Sequence, residues 1–98
     1  MTRHPCPCFC ATTHNNLGNL RSIEARKLDV SDPMAAMQAR QEAIALHTRA
    51  TQLDPRYAIA AYNLGHSHAE LAELLAETGL SEIEVTDEGG LKAFAKAD

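Results

Sequence analysis

Three cysteines at alternate positions, Cys6, Cys8 and Cys10, are the residues of this chain best suited by type to chemistry. Thiolates so close together suit a soft ion such as Cu(I) or Zn. A closed zinc site, however, takes four ligands, usually at wider spacing. Nothing in the sequence selects His4 or His14 as the fourth. Pro5 and Pro7 interrupt the same stretch, so residues 1–10 read as an irregular tail, and neither a metal nor a cofactor is assigned. His66 and His68 lie two apart on one helix and face different ways, so they cannot share a metal. His68 falls on an apolar stripe and reads as a core histidine. No Ser-His-Asp set, glycine-rich phosphate loop or carboxylate pair stands out, and we expect no catalysis within these residues.

The amide side chains form a different pattern. Asn16-Leu17-Gly18 returns 47 residues later as Asn63-Leu64-Gly65, Ala25 returns as Ala72, and Ala50 returns as Ala97. An asparagine offers both a donor and an acceptor to a peptide unit. A unit repeated at fixed offset is the mark of a helical array, which presents a binding surface rather than an active site.

Helices must position these residues. Ala and Leu dominate the apolar content, Val and Ile are few, and the four prolines sit at element edges. The first helix is expected from Ala11 to about Leu28, its apolar stripe running through Leu17, Leu20, Ile23 and Leu28. Asp32-Pro33 is an N-cap followed by a first-turn proline, and the second helix runs to Leu53, where Asp54-Pro55 ends it. The third, from Pro55 to Thr78, places Ala61, Leu64, Gly65, His68, Leu71, Ala72 and Leu75 on one face. Gly79 suits a left-handed cap. A fourth, weaker helix is expected from Ser81, with Ser81 and Glu84 as a capping box. The class is all-α, in four helices.

Charge and length exclude several partners. The 98 residues carry a net charge of −4. Residues 1–57 hold seven Lys or Arg against five acids, and residues 58–98 two against eight. That balance argues against nucleic acid, which needs a clustered basic face. No stretch approaches the roughly 20 apolar residues of a membrane span, and no secretory signal is legible, so an intracellular, cytoplasmic setting is expected. No small-molecule substrate is evident.

The Tyr-Asn-Leu-Gly and Leu-Asp-Pro segments resemble the tetratricopeptide repeat, a helix–turn–helix unit of about 34 residues. On that resemblance residues 11–57 form one repeat and residues 58–98 a second, truncated one. Its signature falls on Leu17, Gly18, Ala43, Ala50, Pro55, Leu64, Gly65, Gly90, Phe94 and Ala97. Gly18 to Ala43 and Gly65 to Gly90 each span 25 residues, where the family separation is about 12. The extra residues imply lengthened hairpins, with close crossings at Gly18/Ala43 and Gly65/Gly90. His47 and Phe94 would then point into the two hairpin interfaces. The array is similar to that of O-linked N-acetylglucosamine transferases, in which asparagines hold extended peptide backbones. By that likeness Asn16, Asn19, Tyr62, Asn63 and His66 would line a concave groove for a protein or peptide segment. The chain would be a fragment of a scaffold, or alternatively the recognition arm of an enzyme such as a glycosyltransferase.

Overall fold

The computed structural model describes residues 7–86 and 92–96, with side chains described over residues 10–79. Three helices, α1 (Pro7–Leu28), α2 (Pro33–Leu53) and α3 (Ala58–Thr78), precede two antiparallel strands, β1 (Leu80–Thr86) and β2 (Lys92–Lys96).

The helix limits follow from local chemistry. Pro7 opens α1 rather than blocking it, because a proline in the first turn has no N–H to lose. This corrects the irregular tail at its far end: Cys8 and Cys10 belong to the first turn of α1, while Cys6 lies outside the described residues. The Asp32 side chain accepts from the Ala35 N–H at 3.1 Å and caps α2. Asp54 takes extended backbone at its other end. In α3 the helix starts at Ala58 instead of Pro55, after a turn in which the Tyr57 N–H bonds to the Asp54 carbonyl at 3.0 Å. Gly79 closes it at φ 70°, a left-handed conformation that glycine adopts without a Cβ penalty.

The expected fourth helix is replaced by strands. Leu80 pairs with Lys96, Ser81 with Ala95, Glu82 with Phe94 and Ile83 with Ala93, before an irregularity resumes the ladder at Thr86 and Lys92. A capping box contributes about 1 kcal/mol. The two glycines at 89 and 90 would cost a helix about 2 kcal/mol together. Glu82-Ile83-Glu84-Val85 alternates polar and β-branched residues instead, the period of a strand. Phe94 is therefore a strand residue, and Gly90 and Ala97 lie outside the described residues.

The three helices alternate in direction, with α2 in the middle. Near one end Ala11, Ala50 and Ala60 pack together, flanked by Leu53 and Tyr57. Toward the other, Ala36, Met37 and Ile44 of α2 meet Leu71 and Leu74 of α3, with Leu28, Leu64 and Leu75 against them. α1 and α3 both pack on α2 and touch one another at few points. α1 and α2 are 22 and 21 residues long, about 33 and 32 Å.

The buried faces differ from the apolar stripes of the sequence. In α1 the inward residues are Ala11, Asn15, Gly18, Ser22 and Ala25, while Leu17, Leu20 and Ile23 are 43%, 54% and 45% exposed. Small residues let α1 and α2 approach closely, and closeness excludes leucine from the contact. In α3 the inward residues are Ala60, Ser67, Leu71 and Leu74, and His68 is exposed instead of buried. The 47-residue copies consequently meet different environments. Ala25 is buried and Ala72 exposed; Gly18 is buried, whereas a Cβ on Gly65 would meet nothing within 4 Å among the described residues. The close crossing expected at Gly65/Gly90 lies partly outside the described residues, because Gly90 does.

Candidate binding groove

Because α1 and α3 lie on the same side of α2 and barely touch, a groove runs between them. Its floor is His47, 1% exposed. Its walls are Asn19, Ser22, Ile23 and Arg26 of α1 and Asn63, His66 and Ser67 of α3, around a cavity of about 180 Å³.

His47 reaches this position through a glycine. A Cβ built on Gly18 would lie 2.6 Å from His47 Nε2 and 2.7 Å from Cδ2, so the imidazole occupies the room a side chain would take. The partner of Gly18 is thus His47 rather than Ala43, although Ala43 is fully buried and His47 does point into the hairpin interface. The ring sits 3.1 Å from Asn19 Oδ1 through Nε2 and 3.2 Å from Ser67 Oγ through Nδ1. The Asn19 carboxamide oxygen accepts, so Nε2 carries the proton and Nδ1 accepts from the Ser67 hydroxyl. Burial pushes the His47 pKa below its ordinary 6.5, opposed in part by a hydrogen bond with the Asn15 backbone. The neutral ring is a fixed strut joining all three helices.

Beside it, Asn63 Nδ2 donates to Asn15 Oδ1 at 3.0 Å, the direct amide link from α3 to α1. Tyr62, 72% exposed, stacks on His66 with ring centroids 6.3 Å apart and planes 5° from parallel. Further along, Arg26 Nε donates to Glu70 Oε2 at 3.2 Å. Arg40 of α2 is 4% exposed and its Nη2 donates to both Asp29 oxygens, at 2.7 and 2.9 Å. Its Nη1 stands 3.4 Å from Glu70 Oε1. A second cavity of about 190 Å³ opens here, lined by Arg26, Asp29, Arg40, Glu70, Glu73, Leu74 and Glu77. Arg26 lines both cavities, so they are consecutive stretches of one groove.

The structure thus brings Asn19, Asn63 and His66 together on the groove. Tyr62 adjoins it through His66, and Asn16 is exposed on α1 without lining either cavity. Leu17 is exposed, Leu64 half-buried against the core, Ala50 fully buried and Pro55 exposed in the α2–α3 turn. Sequence reasoning missed Ser22, Arg26, Ser67 and the part played by Arg40. Their signal is the spacing of small and polar residues at Ala11, Asn15, Gly18, Ser22 and Ala25, which repeats at helical period beside the more conspicuous leucines. His14 Nδ1 is 2.8 Å from the Cys10 carbonyl, to which it donates. Among the described residues no three His, Cys, Asp or Glu side chains converge on a metal-sized site, and no helix is long and apolar enough to cross a membrane.

Comparison with known proteins finds no matching family model, curated relative or solved structure.

Proposed function

We propose that this protein is an interaction module whose α1–α3 groove binds an extended protein or peptide segment. One observation carries the reading: the groove offers amide and imidazole groups from Asn19, Asn63 and His66 beside exposed apolar side chains, Ile23 and Tyr62. Such a lining suits a peptide, whose backbone has a donor and an acceptor per residue and whose side chains alternate in direction. Each cavity, at about 180 and 190 Å³, is below the roughly 300–1,000 Å³ of small-molecule pockets. Each is a place for one or two side chains. The exposed tyrosine beside the groove is of the residue type that anchors interfaces.

The relation to tetratricopeptide arrays belongs to the same proposal. What supports it is the order of a long helical hairpin followed by a third helix, with the first and third helices sharing one surface. The reading makes the chain a binding element without catalysis of its own.

The test is selection from a random-peptide library, followed by fluorescence anisotropy on the selected peptides. Ile23→Ala and Tyr62→Ala remove exposed side chains and leave the fold intact. Each is expected to weaken binding about fivefold, the loss of a contact near 1 kcal/mol. Selected peptides whose affinity ignores both substitutions would refute the groove.

A further inference from the structure

The groove changes character along its length. Along α1 and the turn after it the groove runs through Asn19, Ser22, Arg26 and Asp29, and on α3 through Asn63, His66, Glu70, Glu73 and Glu77. Both series step by three and four residues, so each forms one continuous strip. The α3 strip, from Asn63 to Glu77, rises through fourteen residues of helix, about 21 Å. An extended segment of about six residues covers that length. One end is uncharged and built from amides; the other holds four carboxylates and two guanidinium groups.

We infer that the segment this groove accepts carries a lysine or arginine at the end lying toward Asp29 and Glu77. The inference rests on the peptide-binding reading above and adds the chemistry of the partner. Both arginines at this end are already engaged, Arg40 with Asp29 and Arg26 with Glu70. Glu73 and Glu77 are exposed and form no ion pair among the described residues. Their placement works against the fold: like charges four apart on a helix repel, and an acid in the last turn opposes the helix dipole. A cation between them removes both penalties.

A second observation, independent of the acids, points to a ligand at the same place. Arg40, whose side chain is 5% exposed, lines the 190 Å³ cavity; among the described residues its Nε has no hydrogen-bond partner, and its Nη1 and Glu70 Oε1 form a loose ion pair at 3.4 Å without a hydrogen bond. Unmet buried donors and acceptors are costly. A peptide end supplies what is missing, with a backbone carbonyl for Arg40 and N–H or ammonium donors for the carboxylates. A simple cation would serve the acids and leave the guanidinium unmet.

The experiment uses fluorescein-labelled hexapeptide pools, randomised at five positions and fixed as Lys, Gln or Glu at the first or the last. Binding to the full chain is read by anisotropy at low and at physiological salt. The Lys pool of one orientation is expected to bind about fivefold tighter than the Gln pool, the scale of exposed ion pairs, with the Glu pool weakest. Glu73→Gln combined with Glu77→Gln should abolish that preference, and Tyr62→Ala should weaken Lys and Gln pools alike. If Lys, Gln and Glu pools bind equally and all respond to Tyr62→Ala, the groove stands and the cationic end is wrong. A lysine preference that survives Glu73→Gln/Glu77→Gln also overturns it. Should no pool respond to Tyr62→Ala, both readings fall.

Discussion

Replacing Gly18 with alanine tests the centre of the structure, because two effects of known sign compete there. In the interior of α1 alanine is favoured over glycine by about 1 kcal/mol of helix propensity. Against this, the new methyl group would lie 2.6 to 3.0 Å from three atoms of the His47 ring. The ring can yield only toward the groove above it, and moving there breaks its bonds to Asn19 on one side and Ser67 on the other. Overpacking of this kind costs about 1–3 kcal/mol, and displacing the ring gives up two hydrogen bonds of about 1 kcal/mol each. The clash therefore wins, and Gly18→Ala should destabilise the protein by about 2 kcal/mol, lowering Tm by about 10 °C. At Gly65, the copy 47 residues on, no described residue stands within 4 Å of the added carbon. There the same substitution should stabilise by up to about 1 kcal/mol. Thermal and urea unfolding followed by circular dichroism measures both. A double-mutant cycle adds the decisive control, since in a His47→Ala background Gly18→Ala should lose its penalty. A Gly18→Ala variant as stable as the wild type would refute the placement of His47 against Gly18.

Two further outcomes follow from buried polar groups. The folded-state pKa of His47 is lowered by burial from 6.5, so below that value the unfolded chain binds the extra proton first. The contribution of the neutral ring is complete above about pH 6.5 and declines as pH falls toward the folded-state pKa; urea midpoints measured from pH 8 down to about 5 should show a loss that His47→Gln flattens. For Arg40→Ala, which strands Asp29 and leaves Glu70 with Arg26 as its one guanidinium among the described residues, a loss of about 2–3 kcal/mol is expected, below the fully buried range because the Asp29 side chain is 31% exposed. Arg40→Met should cost less, by keeping the packed stem, and an Arg40→Ala change within about 0.5 kcal/mol of wild type would contradict the ion-pair network.

Much of the helical framework is legible in the residue order, since it depends on interactions a few positions apart. Asp32-Pro33, Asp54-Pro55 and Gly79 mark their boundaries by fixing φ or by supplying a cap, and no distant partner is needed. The final segment departs from its expected helix because two local signals conflict. Ser81 and Glu84 resemble a helix start, while the alternation through Ile83 and Val85 favours strands that gain their partner only when residues 92–96 fold back.

The faces of the helices are another matter. A search for apolar periodicity selects Leu17, Leu20 and Ile23, yet the contact between α1 and α2 is made by alanine, glycine, serine and asparagine. Hydrophobicity scales reward large side chains, whereas a close helix crossing rewards small ones, and only the neighbouring helix decides which rule applies. The same holds for the groove. Asn19, Asn63 and His66 are legible as amide and imidazole groups at helical spacing; Ser67, Arg26 and Arg40 gain meaning from atoms 20, 44 and 11 residues away in sequence. By itself the sequence determined three helices, both ends of the second and the last residues of the first and third, and an acidic second half, because propensity, capping and charge are local properties. Tertiary structure alone decided that His47 fills the space of Gly18 and that α1 and α3 leave a groove between them. Those facts depend on which surfaces meet, and short-range preferences do not encode that.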